Sequence, residues 1–78
     1  MPRYFMHLLD GREKLSDAEG IVLPNLSTAR AYAEQAARDM LAEKVRHGEI
    51  INGESIEIAD QDGVVLAIVP LISVMRQR

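Results

Sequence analysis

The 78-residue sequence contains no cysteine, which removes disulfides and thiolate-held metals from consideration. It also lacks a long apolar run. The longest, Val64 to Ile72, is far too short to span a bilayer. The N-terminus leads straight into a short alternating segment, and nothing there resembles a signal peptide. A cytoplasmic location is the default expectation. There is no serine-containing nucleophile elbow and no glycine-rich phosphate loop. Repeats and low-complexity segments are absent too. Aromatic residues are few, two Tyr and one Phe. Tyr4 and Phe5 are neighbours on a candidate strand, so they place one ring on each face, a poor platform for base stacking.

A basic face is missing as well. The formal net charge is −3, and the acidic excess lies in the C-terminal part. There Glu49, Glu54, Glu57, Asp60 and Asp62 are offset only by Arg76 and Arg78. Arg30, Arg38, Lys44 and Arg46 are interleaved with Glu34, Asp39 and Glu43, which repel phosphate. That pattern reads as a solvated mixed-charge surface and argues against nucleic acid. The two terminal arginines read as solubilising.

What is present is a short chain that is 47% apolar, enough for one folded domain over residues 1–78. Its organising stretch runs from Asn25 to Gly48. Pro24 keeps Leu23 extended, Asn25 or Ser27 can cap a helix, and Gly48 suits the position just past its end. Within it Leu26, Ala29, Ala33, Ala36, Ala37 and Met40 recur at spacings of three and four, one stripe of a helix. The stripe is mostly alanine. It can lie close to a flat apolar surface, but the partner surface must supply the bulk. Tyr32, Leu41 and Val45 flank the stripe, either widening the buried face or staying exposed.

The partner surface is a set of short strands. Arg3 to Leu9 alternates, with Tyr4, Met6 and Leu8 on one side and Phe5, His7 and Leu9 on the other. Asp10-Gly11 is a turn signal, Lys14 to Asp17 returns as a brief strand, and Ile21 to Leu23 is a short extended piece. After the helix, Ile50 and Ile51 are expected to pack beneath it. Ser55 to Ala59 reads as a strand with Ile56 and Ile58 inward and Glu57 outward. Asp60 to Gly63 is a hairpin loop. Val64 to Val69 is apolar on both faces and ends at Pro70. Leu71 to Arg78 is open between a helical turn and a docked tail. The expectation is an α+β fold: an antiparallel sheet of three to four strands with one long helix packed across one face. Two-sided apolarity favours pairing of the first strand with Val64–Val69. It also leaves a sheet face in need of a cover, from which a homodimer or a protein partner is expected.

Candidate chemistry is sparse. His7 on a strand and Asp10 at its end carry the residue types of a general base and its orienting carboxylate, yet no nucleophile accompanies them. The alternative is a strand histidine hydrogen-bonded across the sheet. His7, His47, Asp10, Asp17 and Glu19 are the candidate metal ligands. However, the histidines are separated by most of the helix, and Asp17-x-Glu19-Gly20 is too short for a calcium loop. Met6, Met40 and Met75 read as core or interface filler. No catalytic residue, metal or cofactor is assigned. His7, Asp10, Asp17 and Glu19 remain weak binding candidates.

The opening Met-Pro-Arg-Tyr-Phe-x-His-Leu followed by Asp10-Gly11 resembles a family of short bacterial proteins, mostly alphaproteobacterial, catalogued as a domain of unknown function. So does Asp17-x-Glu19-Gly20-x-x-Leu23-Pro24 ahead of an alanine-rich helix. The resemblance covers nearly the whole chain. It departs at Met6, where family members often carry a second aromatic, and at Asn25, where they often carry an acid. It implies a shared small α+β fold and no assigned activity. Three functions therefore stand as expectations. The first is a non-enzymatic protein–protein or self-association module. The others are a small regulatory protein associated with nucleic acid, and a small-ligand binder using His7 and Asp10.

Overall fold

The computed structural model describes residues 1–76. The order of elements is β1 (Arg3–Asp10), β2 (Glu13–Leu15), β3 (Ile21–Val22), α1 (Leu26–Arg46), β4 (Ser55–Ala59), β5 (Val65–Pro70) and a 3₁₀ turn (Leu71–Arg76). All pairings are antiparallel and the sheet order is β2-β1-β4-β5, with the two-residue β3 on the same edge of β1 as β2. This is the α+β arrangement expected, an antiparallel sheet with one long helix across a face.

Helix α1 begins and ends as its sequence dictates. The Asn25 side-chain oxygen accepts from the Thr28 backbone N–H at 2.8 Å and from the Thr28 hydroxyl at 3.0 Å, satisfying donors that the first turn leaves orphaned. At the other end Gly48 takes φ 68°. Its N–H donates to the Val45 carbonyl, and the Glu49 N–H donates to the Lys44 carbonyl at 2.8 Å. That pair of reverse bonds is a Schellman closure, which requires a left-handed residue where Gly48 stands.

The buried face of α1 is Ala29, Ala33, Ala37 and Leu41, the three alanines fully so. Leu26, Ala36 and Met40 are partly buried against the same core. Of the flanking residues, Leu41 joins the core, while Tyr32 and Val45 are exposed. The bulk comes from the sheet: Tyr4 of β1, Ile56 and Ile58 of β4, and Val69 of β5. Register brings Leu8 opposite Ile56 and Met6 opposite Ile58, then Ile56 opposite Val69 and Ile58 opposite Ala67. These residues therefore share the face beneath the helix. The chain closes the core with Leu71 and Val74 of the 3₁₀ turn, both buried. Residues 71–76 are thus helical, with Leu71 and Val74 docked on the core. Arg78 of the terminal arginine pair lies outside the described residues.

Two expectations are corrected. β1 does not pair with β5; β4 lies between them. The central position goes to the strand with the most complete burial, and Ile56, Ile58 and Ala59 are all nearly inaccessible. The hairpin at Asp60–Val64 then leaves β5 only the outer place. Asp60 fixes that hairpin by accepting from the Asp62 and Val64 N–H groups, each at 2.9 Å. Ile50 does not pack under the helix: it is 81% exposed, and Ile51 alone reaches the core.

A buried carboxylate ties the far end together. Glu54 is 5% exposed. Its carboxylate meets Lys44 Nζ of α1 at 2.9 Å and accepts from the Asn52 N–H at 2.7 Å, and its carbonyl accepts from the Leu71 N–H. The Lys44 hydrogen bond, followed by backbone donors, holds the Glu54 carboxyl below its ordinary range, and the same pair raises Lys44. One residue thus links the helix end, the start of β4 and the 3₁₀ turn. A charge buried this far requires its partner.

The close helix–sheet approach yields a prediction. Ala33→Leu forces extra methylene groups into a filled contact and is expected to destabilise the protein by about 1–3 kcal/mol. Ala42→Leu, on the exposed side of α1, is expected to change stability by less than about 0.5 kcal/mol. Urea unfolding of both variants checks the pair, and equal effects would contradict the assigned face.

Candidate functional site

β2 pairs with residues 8–10 of β1 and β3 with residues 3–4, so residues 5–7 along that edge face no strand. The loop between β2 and β3 fills the gap with a side chain. Asp17 Oδ2 accepts from the Met6 backbone N–H at 3.1 Å, where a strand carbonyl would otherwise stand. Asp17 Oδ1 accepts from the Glu19 and Gly20 N–H groups at 3.2 and 3.0 Å. The Asp17 N–H in turn donates to His7 Nδ1 at 2.9 Å. A short carboxylate thereby performs the pairing of a missing strand, as aspartate does in local turns. Burial raises the Asp17 carboxyl, but the hydrogen bonds from the N–H groups of Gly20, Met6 and Glu19 bring it below its ordinary value.

Gly20 explains the rest of the loop. It has φ 69°, and a Cβ there would lie 2.9 Å from Arg3 Cγ, from Phe5 Cε2 and from the Tyr4 carbonyl oxygen. Only glycine accepts both the conformation and the approach. Arg3 Nη1 donates to the Glu19 carbonyl at 2.9 Å, and the Leu23 N–H donates to the Pro2 carbonyl. The Asp17-x-Glu19-Gly20-x-x-Leu23-Pro24 segment is therefore a splice that fastens the helix entry to β1.

Of the four candidate residues, His7, Asp17 and Glu19 come together in this splice. Asp10 does not join them. It is exposed at the β1–β2 hairpin, opposite Glu13. Three positions from His7 along a strand, it belongs to the other face. His7 Nδ1 acts as an acceptor, so its neutral form carries the proton on Nε2. The ring stacks on Phe5 with centroids 6.5 Å apart. His47 stands apart at the end of α1, within 3.7 Å of Glu43 and Glu49. Among the described residues no group of three His, Asp or Glu side chains is placed to hold a metal. On the helix, Lys44 and Arg46 are engaged by carboxylates.

Beside the splice, on the helix side of the sheet, lies a groove of about 360 Å³. Its floor is Met6, Leu8 and Ile56, and its helical wall is Tyr32, Ala36 and Met40. The opposite wall is the loop itself, Asp17 and Glu19 to Ile21. The sequence reading missed this groove and the Glu54–Lys44 pair. A signal for the groove was legible in Ala36 and Met40, which extend the alanine stripe beyond the width that the narrow sheet covers. Nothing local marked Glu54, because its partner is contributed by a distant element.

Residues 3–73 match the family described as a domain of unknown function (DUF6894), and the chain belongs to that family. No curated protein and no solved structure matches it. Among the described residues no helix is long and apolar enough to cross a membrane.

The splice carries its own prediction. Asp17→Asn turns an acceptor toward N–H groups into an amide that can satisfy only part of them, and is expected to cost about 1–2 kcal/mol at neutral pH. Because folding lowers the Asp17 carboxyl, its contribution is fully present above the ordinary value of 3.8. It is lost as pH falls through the lower folded value. The stability difference between wild type and variant should therefore narrow as pH falls below 3.8. Urea titrations across that range test this, and a difference independent of pH would contradict it.

Proposed function

We propose that this member of the domain-of-unknown-function family is a non-enzymatic protein–protein interaction module that self-associates through β5. The observation that carries the reading is the asymmetry of the sheet's two edges. β2 at one edge bears Glu13 and Lys14, the charged protection natural edge strands carry. β5 at the other edge has no charged residue, and the uncharged run continues from Val64 through Met75. Val64, Val65, Leu66 and Ile68 are all exposed, and among the described residues no strand pairs with the free side of β5. An exposed, uncharged apolar edge is a template for strand addition.

A second copy is the partner that such an edge suits best. Two β5 strands running antiparallel about a two-fold axis present the same uncharged surface to each other, which a closed, isologous dimer requires. Leu66 and Ile68 would then abut their counterparts on the outer sheet face, away from α1. On that face β4 presents Glu57, opposite Ile68 and paired with Lys14 at 3.3 Å, so the apolar contact is confined to β5 itself. The opening octet supports a bacterial origin, and the lack of a long apolar segment is compatible with a cytoplasmic setting.

Sedimentation equilibrium over rising protein concentration tests the proposal. The expected result is a mass moving from 8.7 kDa toward twice that value. Ile68→Lys should weaken association about tenfold or more, a loss of ~1.4 kcal/mol or more, with little change in monomer stability. Leu15→Lys on the opposite edge serves as the control and should leave association unchanged. A strict monomer, or a dimer indifferent to Ile68→Lys, would overturn the reading.

A further inference from the structure

The groove between α1 and the splice shares no residue with the β5 edge and is not needed for self-association. It is apolar where it is deep and acidic where it opens. Met6, Leu8 and Met40 are partly buried around the buried Ile56, and methionines adapt readily to the shape of an apolar guest. No Lys, Arg or His stands among the lining residues, whereas Asp17 and Glu19 both do. A smaller hollow continues the groove past Tyr32 and Ala36 to Gln35 and Asp39 on the helical wall, where Asp39 accepts from the Gln35 amide.

The Asp17 and Glu19 carboxylates differ in availability. Asp17 is committed to three backbone N–H groups, which fix a negative charge in place but leave its remaining lone pairs open to a further donor. Glu19 is tied only through its backbone, its carbonyl accepting from Arg3 and its N–H donating to Asp17. Among the described residues its carboxylate has no partner. Tyr32, 48% exposed, lines the groove together with the two carboxylates, and an aromatic ring attracts a cation to its face.

The volume lies at the low end for small-molecule sites, and the charge selects among guests. An anion would be repelled. A neutral apolar guest would gain from the floor but nothing from the rim. A guest with an apolar body and a single ammonium group fits both. We infer that the groove binds small apolar-bodied ammonium ions, with the body on Met6, Leu8, Met40 and Ala36 and the ammonium at the Asp17–Glu19 rim beside Tyr32.

The test is a titration of the ¹⁵N-labelled 78-residue chain with three probes of similar shape: 2-phenylethylamine, 2-phenylethanol and 3-phenylpropionate. The amine is expected to shift the amides of Asp17, Glu19, Gly20, Ile21, Ala36 and Met40 saturably. The alcohol should bind the same site about threefold or more weakly, the scale of a half-exposed ion pair. The carboxylate should bind more weakly still. Glu19→Gln changes an exposed side chain and should reduce amine affinity about threefold while leaving the alcohol unaffected. Ala36→Leu should fill the groove and reduce affinity for all probes. Any of three outcomes overturns the inference: no saturable shift with the amine, equal affinity for amine and alcohol, or amine shifts confined to residues outside the groove. None of these bears on the state of association, so the two proposals fail separately.

Discussion

The contact on which this small protein depends is the approach of three alanine methyl groups to the inner face of a sheet. Ala29, Ala33 and Ala37 are fully buried, yet each offers only one methyl. The area removed from water is contributed mainly by Tyr4, Ile56, Ile58, Val69 and Leu71. Small side chains on the helix and large ones on the sheet are complementary halves of one surface. They allow dense contact without the bulk that would push two layers apart. A chain of this size buries a limited share of its surface, so a single well-filled contact between two layers carries much of its stability.

Two polar devices keep that contact in register, one at each end of the helix. At the entry, Asp17 supplies the acceptor that a missing strand would have supplied to Met6, and Gly20 permits the loop to lie against β1. At the exit, Glu54 holds Lys44 and, through its carbonyl, the first residue of the 3₁₀ turn. Neither device is a hydrophobic contact, and both sit where the chain changes direction. Each converts a loop that would otherwise be free into a fixed connection. The groove follows from the first of them: the splice holds the loop beside β1, and the width of α1 leaves an apolar channel between them.

Much of this architecture is legible in the chain. The helix ends are written in Pro24, Asn25 and Gly48, and the inward set of β1 and β4 is written in their alternation. The order of the sheet was not, because pairing depends on the completed burial of every strand. β5, apolar on both faces, read as the partner of β1 but lies at an edge beyond β4. Its exposed residues became visible as an unprotected edge only once β4 was placed beside β1. Ile50 and Ile51 looked equivalent, and the turn after Gly48 exposed one and buried the other. The acidic loop showed in sequence only as too short for a calcium site. Its function as a strand substitute depends on Met6 and His7, ten or more positions away, which no local pattern announces. His7 and Asp10, close in sequence, are kept apart by the two-residue period of a strand, whereas His7 and Asp17 are joined by the hairpin between them.

The fold thus presents two distinct surfaces: an uncharged edge at β5, and an apolar channel with acidic lips at the opposite side. Both rest on a helix that stays seated on the sheet as one cooperative body. Native-state hydrogen exchange measures that directly. The amides of Ala33, Ala37 and Leu41 in α1 and of Ile56 and Ile58 in β4 should exchange with one common free energy, equal to that of global unfolding. A helix whose amides exchange at a much lower free energy than those of β4, lifting from the sheet while the strands persist, would contradict the account.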